Sequence, residues 1–78
     1  MNQLDLHGLY HYQVWNTVEN FVLLNSENLP LRIITGHSEM MQDMTKKILD
    51  LHKFEYYNPP YNNGEIIVIG DKEKIYGQ

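Results

Sequence analysis

The chain has 78 residues, with six basic and ten acidic side chains, a formal net charge of −4 and no cysteine. That length allows one small domain, and the missing cysteines exclude disulfide scaffolds and thiolate metal centres. The longest apolar runs, residues 21–24 and 66–69, cannot span a bilayer, and no Lys or Arg precedes Arg32 to open a signal peptide. The expectation is therefore a protein without membrane attachment, in the reducing cytoplasm. A hydrophobic fraction of 42% argues for a folded globule. The acidic balance counts against strong autonomous binding to nucleic acid, because phosphate affinity comes from clustered Lys and Arg.

Residues 3–7, Gln-Leu-Asp-Leu-His, alternate polar and apolar, which predicts a strand with Leu4 and Leu6 on the buried side. From Tyr10 to about Asn25 the residues Val14, Trp15, Val18, Phe21 and Val22 recur at helical spacing, with Trp15 expected in the core. Residues 26–30 read as a turn. Residues 31–35, rich in β-branched side chains and stopped by Gly36, predict a second strand. Ser38 suits the N-cap of a second helix whose buried stripe would be Met41, Met44, Ile48 and Leu51. On that helix Asp43–Lys47 and Lys46–Asp50 have the spacing of ion pairs, while His11 and His52 read as solvated.

Residues 54–57 predict a third strand, suited to a sheet edge, and the apolar run at 65–69 a fourth, suited to the centre. The domain is expected over residues 1–70, with 71–78 a polar tail. Helices between successive strands predict an α/β, two-layer fold with parallel pairing and both helices on one sheet face.

Such a fold gathers its loops at the carboxyl ends of the parallel strands, where open α/β sheets place ligands. Here that rim collects Asp5, His7 and Gly8, then Thr35, Gly36, His37 and Ser38. With Leu4 and Leu6 turned inward, Asp5 and His7 point together to the other face. An Asp can orient an imidazole and stabilise its protonated form, and a His titrating near neutrality can act as general acid or base. Unpaired amides at Gly36, His37 and Ser38, opening a helix, suit an anion.

Plainer readings stand beside these. Asp5 and His7 can simply hydrogen-bond the turn before the first helix. Residues 35–38 can be only a tight turn with a Ser cap. Ligation of a metal by Asp5, His7 and His37 lacks any motif of ligand spacing, so no metal is expected. No cofactor is expected either, since phosphate-loop and dinucleotide fingerprints are missing. Tyr56, Tyr57 and Tyr61 are candidates for stacking bases, or for covering an edge strand.

Residues 4–9, Leu-Asp-Leu-His-Gly-Leu, resemble the LDLHG motif of the Smr (small MutS-related) domain family. Its second motif, TGxG or HGxG, falls at Thr35-Gly36-His37-Ser38, and the resemblance extends over residues 3 to about 70. It implies a domain similar to the C-terminal domain of a bacterial translation initiation factor. The implied sheet order is 1-2-4-3 with the fourth strand antiparallel to the others. Nuclease chemistry on DNA or RNA is also implied, in several relatives at stalled ribosomes. By motif position Asp5 and His7 would be the catalytic pair, with Thr35, Gly36 and Ser38 the second loop. Ser38 departs from the glycine of many relatives, and Tyr10 stands where Ser or Thr often caps the first helix.

The expectation is an endonuclease cutting phosphodiester bonds, RNA somewhat preferred over DNA. His7 would be the acid/base group, Asp5 its orienter and His37 a second proton donor, with phosphate held by Gly8, Thr35, Gly36 and Ser38. The alternative is a non-catalytic module that docks on nucleic acid, a ribosome or a protein partner, with Lys46, Lys47 and Lys53 as a weak docking strip.

Overall fold

A computed structural model describes residues 1–72. In chain order they form β1 (Asn2–Asp5), α1 (His11–Leu24), β2 (Leu31–Ile34), α2 (Glu39–Leu51), β3 (Phe54–Tyr57) and β4 (Glu65–Asp71). The strands make one four-stranded mixed sheet in the order β1-β2-β4-β3. β1 runs parallel to β2, and β4 runs antiparallel to both β2 and β3. The α/β fold, the strand order and the reversed fourth strand are as expected. The most apolar strand sits in the middle, where both its edges are hydrogen-bonded and neither faces water.

One core cluster joins Val14, Val18 and Val22 of α1 to Ile48 and Leu49 of α2 and to inward residues of all four strands' side of the sheet, among them Ile33 and Ile66. Both helices therefore lie on the same sheet face. The inward residues alternate along β2 (Leu31, Ile33) and β4 (Ile66, Val68), while Ile67 between them is buried on the other face. On the other face Arg32 reaches diagonally to Glu65, Nε to Oε1 at 3.1 Å, an ion pair rather than a linear hydrogen bond.

Several expectations about individual residues are corrected. β1 ends at Asp5 rather than His7, although Leu6 still donates its amide to the Ile34 carbonyl at 2.9 Å and is fully buried. Trp15 is exposed: α1 buries the narrow i, i+4 row of Val14, Val18 and Val22, and Trp15 lies on its flank. Leu51 is exposed as well, and the buried row of α2 is Met41, Thr45, Ile48 and Leu49.

His52 is not a solvated helix residue. It caps the C-terminus of α2, and its Nε2 lies 2.7 Å from Glu19 Oε2, tying the two helices. Among the described residues neither Asp43–Lys47 nor Lys46–Asp50 forms an ion pair; Asp50 instead accepts the Tyr56 hydroxyl at 2.8 Å. Tyr56 thus faces α2 and not the open sheet face. β4 runs on to Asp71, with Ile69 as an extra residue opposite the Glu55–Tyr56 step, so the expected tail begins inside the sheet. The rest of that tail, residues 73–78, lies outside the described residues.

Tyr10, lacking the short side-chain hydroxyl of a Ser or Thr cap, is held to α1 in another way. The Tyr10 amide donates to Gln13 Oε1 at 3.0 Å, and the Gln13 amide donates to the Tyr10 carbonyl at 2.9 Å. The Gln13 side chain thus makes the reciprocal bond of a capping box, the one that the third helical residue supplies.

Candidate functional site

Parallel pairing of β1 with β2, Asp5 opposite Ile34, sets the two expected loops side by side on one rim. The first loop is a turn closed by the Leu9 amide donating to the Leu6 carbonyl at 3.1 Å. Gly8 occupies its third position at φ 85°, a left-handed conformation that other residues adopt only with strain. Asp5 and His7 are both exposed, opposite in direction to buried Leu6. The Asp5 carboxylate accepts the backbone amide of His7 at 2.8 Å. Among the described residues the His7 ring has no hydrogen-bond partner. The orienting bond expected from Asp5 to the imidazole is thus replaced by one to the main chain.

The second loop divides into a buried half and an open half. Thr35 is buried, and its hydroxyl lies 2.9 Å from the Gly36 carbonyl and 3.2 Å from the Gly64 carbonyl while accepting Gln42 Nε2 at 2.8 Å. The Gly64 carbonyl also accepts the amides of Thr35 at 2.9 Å and Gly36 at 3.1 Å. Neither Thr35 nor the Gly36 amide is therefore presented to a ligand; both brace the loop. Gly36 itself sits at φ 66°.

Beyond Gly36 the character changes. Ser38 caps α2, its Oγ accepting the Met41 amide at 3.2 Å. The amides of His37, Ser38, Glu39 and Met40 donate to no acceptor among the described residues. Four free N–H groups at the positive end of a helix of thirteen residues are suited to an anionic oxygen.

A cleft of about 500 Å³ opens beside this loop, with His37, Gln42, Lys46, Asn58 and Asn63 in its walls together with Glu39 and Asp43. Neither Asp5 nor His7 lines it. Gln42 organises it: its amide group donates to Thr35 and to the Asn63 carbonyl and accepts from Asn58 Nδ2. Asn58 also donates to the Glu65 carbonyl at 2.8 Å, and the Gly64 amide donates to Asn62 Oδ1 at 2.8 Å. The loop before β4 is therefore pinned onto the start of α2.

Gln42, Asn58 and Gly64 escape a reading of the sequence. The only local sign is the density of Asn, Pro and Gly over residues 58–64, which announces a turn but not its partner. Charge at the rim is mixed, with Glu39 and Asp43 against Lys46. Among the described residues no group of three or more His, Asp or Glu side chains is placed to hold a metal ion. No helix there is long and apolar enough to cross a membrane.

Comparison of the chain with models of known protein families, with curated proteins and with solved structures finds no match.

Proposed function

We propose that the chain is an Smr-type endonuclease that cuts a phosphodiester bond at this rim, with RNA preferred over DNA. One observation carries the reading. The parallel β1–β2 pair sets the turn that carries exposed His7 beside the loop whose next four amides are unpaired among the described residues, which supports the reading. In this reading His7 exchanges the proton, and the amides of residues 37–40 hold the phosphate.

Asp5 acts in the scheme through the main chain. Its bond to the His7 amide fixes the backbone from which the ring projects. Gly8 and Thr35 act as positioning residues, Gly8 through its turn and Thr35 through its brace to Gly64. With RNA the 2′-hydroxyl attacks the phosphorus and the 5′-oxygen leaves, so no metal-activated water is required. His37, on the cleft side, supplies the proton that the leaving 5′-oxygen takes up.

The separation of the cleft from Asp5 and His7 favours a second reading, a module that only binds nucleic acid, a ribosome or a protein. A time course on labelled single-stranded RNA, duplex DNA and branched DNA, with and without EDTA, decides between them. Cleavage lost in His7→Ala supports the nuclease. Binding without cleavage in the parent protein leaves the module.

A further inference from the structure

The two helices turn a second face outward, away from the sheet. On α1 the residues Tyr12, Trp15, Glu19 and Leu23 follow one another at helical spacing along one flank, and on α2 so do Met40, Met44, Lys47 and Leu51. The Glu19–His52 bond crosses the seam between the helices, so the α1 row faces α2. Gln42 and Asp50 tie the opposite flank of α2 to the β3 side, which leaves the methionine row facing α1.

These rows are wet and apolar. Tyr12 is 80% exposed, Trp15 36%, Leu23 49%, Met40 54% and Leu51 60%. Together they present on the order of 500 Å² of apolar surface, near the upper end of what a monomer leaves uncovered. Trp, Tyr and Met are also the residue types that anchor protein interfaces.

We propose that this face is covered by a second copy of the chain, in a two-fold dimer whose axis runs along the seam. Rotation about that axis lays the α1 row of each copy over the α2 row of the other. Aromatic rings then meet methionine sulfur and leucine, a favourable contact. Electrostatics agree with a like partner. Glu19 is held by His52, which leaves Lys47 as the only other charge in the two rows. The acids that make the chain −4 overall lie mostly elsewhere, so copies are not repelled at the contact. A polyanion or an anionic lipid surface would find one lysine there.

Two such faces bury about 1,000 Å² or somewhat more, the low end for a specific interface, so association in the micromolar range is expected. Because rotation about the seam preserves helix direction, both rims lie at the same end of the dimer.

Sedimentation equilibrium of the full chain over about 5–500 µM tests this. The weight-average mass should climb from 9.3 kDa toward twice that value. Trp15, the only tryptophan, should shift its emission to shorter wavelength over the same range as its ring leaves water. Met40→Glu and Leu51→Lys place charges that suit their ends of α2, so each should keep the parental circular dichroism yet stay at monomer mass. Tyr57→Lys, on the open sheet face, should associate as the parent does. A chain ending at Lys72 should do the same.

The proposal is overturned if the parent stays at 9.3 kDa throughout. It is equally overturned if association leaves Trp15 emission unmoved or persists unchanged in Leu51→Lys. Dimerisation of the shortened chain alone would mean that residues 73–78, and not a second copy, cover the face.

Discussion

The Asp5 carboxylate bonds the backbone amide of His7 at 2.8 Å and leaves the ring of His7 free. The pair is therefore joined through the main chain, and the two side chains should be separable by mutation. His7→Ala removes an exposed ring and should change stability by less than about 1 kcal/mol while lowering cleavage by about 10²–10⁴. Asp5→Asn keeps an oxygen for the His7 amide and removes only the charge, so its rate loss should be smaller. A melting curve and a cleavage time course on both variants check this. Equal losses would show that the carboxylate reaches the ring during turnover.

Thr35 offers the reverse case, large for folding and indirect for chemistry. Thr35→Val keeps the shape and removes a buried hydroxyl that lies against the Gly64 carbonyl and accepts Gln42. The Gly64 carbonyl keeps the Thr35 and Gly36 amides, but one N–H of Gln42 loses its acceptor, which should cost about 1–2 kcal/mol. For a chain of this size each kcal/mol lowers the melting temperature by roughly 4–8 °C. Differential scanning calorimetry reads the shift directly.

Tyr56 predicts a pH dependence. Burial, then the hydrogen bond and the charge of Asp50, push its phenol from 10.0 up to about 12. The folded state thus holds this proton to higher pH than the unfolded chain does. Its contribution to stability is complete below pH 10 and drains away as pH rises toward 12. Tyr56→Phe should be somewhat less stable near neutrality, with the gap closing from pH 10 upward in urea melts.

Binding to bare nucleic acid should be weak and fade with salt. The open sheet face shows Asp5, Glu55 and Glu65, and Arg32, the one cation within its described strands, is already paired with Glu65. Few phosphates can be neutralised, so submicromolar affinity at physiological salt would contradict the charge argument. Fluorescence anisotropy with a labelled RNA measures it.

Cleavage of RNA should also persist in EDTA, since no cluster of metal-ligating side chains is placed among the described residues. Loss in EDTA with recovery on adding magnesium would point to ligands recruited from the substrate.

The parts of this fold that were legible in the sequence are those written in local periodicity. Alternation at Leu4 and Leu6, the β-branched run of β2 and the hydroxyl at Ser38 each act within a few residues. Trp15 and Leu51 were misread because an apolar residue one step off the buried row looks like part of a wider stripe. The brace of the rim was illegible for a different reason. Thr35 meets Gly64 across 29 residues, Gln42 meets Asn63 across 21, and no period in either segment records the pairing. His52 and Glu19 likewise find each other only because two helices pack side by side.

Among the described strands β4 comes last in the chain yet lies between two that precede it, and the residue just before it, Gly64, holds the rim in shape. Until β4 arrives, β2 and β3 have no common neighbour and the Thr35 and Gly36 amides have no acceptor. A growing chain whose Gly64 and β4 are still inside the ribosomal tunnel lacks the acceptor that sets the second loop. The order of synthesis thereby acts as a timer, keeping the rim unassembled until translation of the domain is nearly finished.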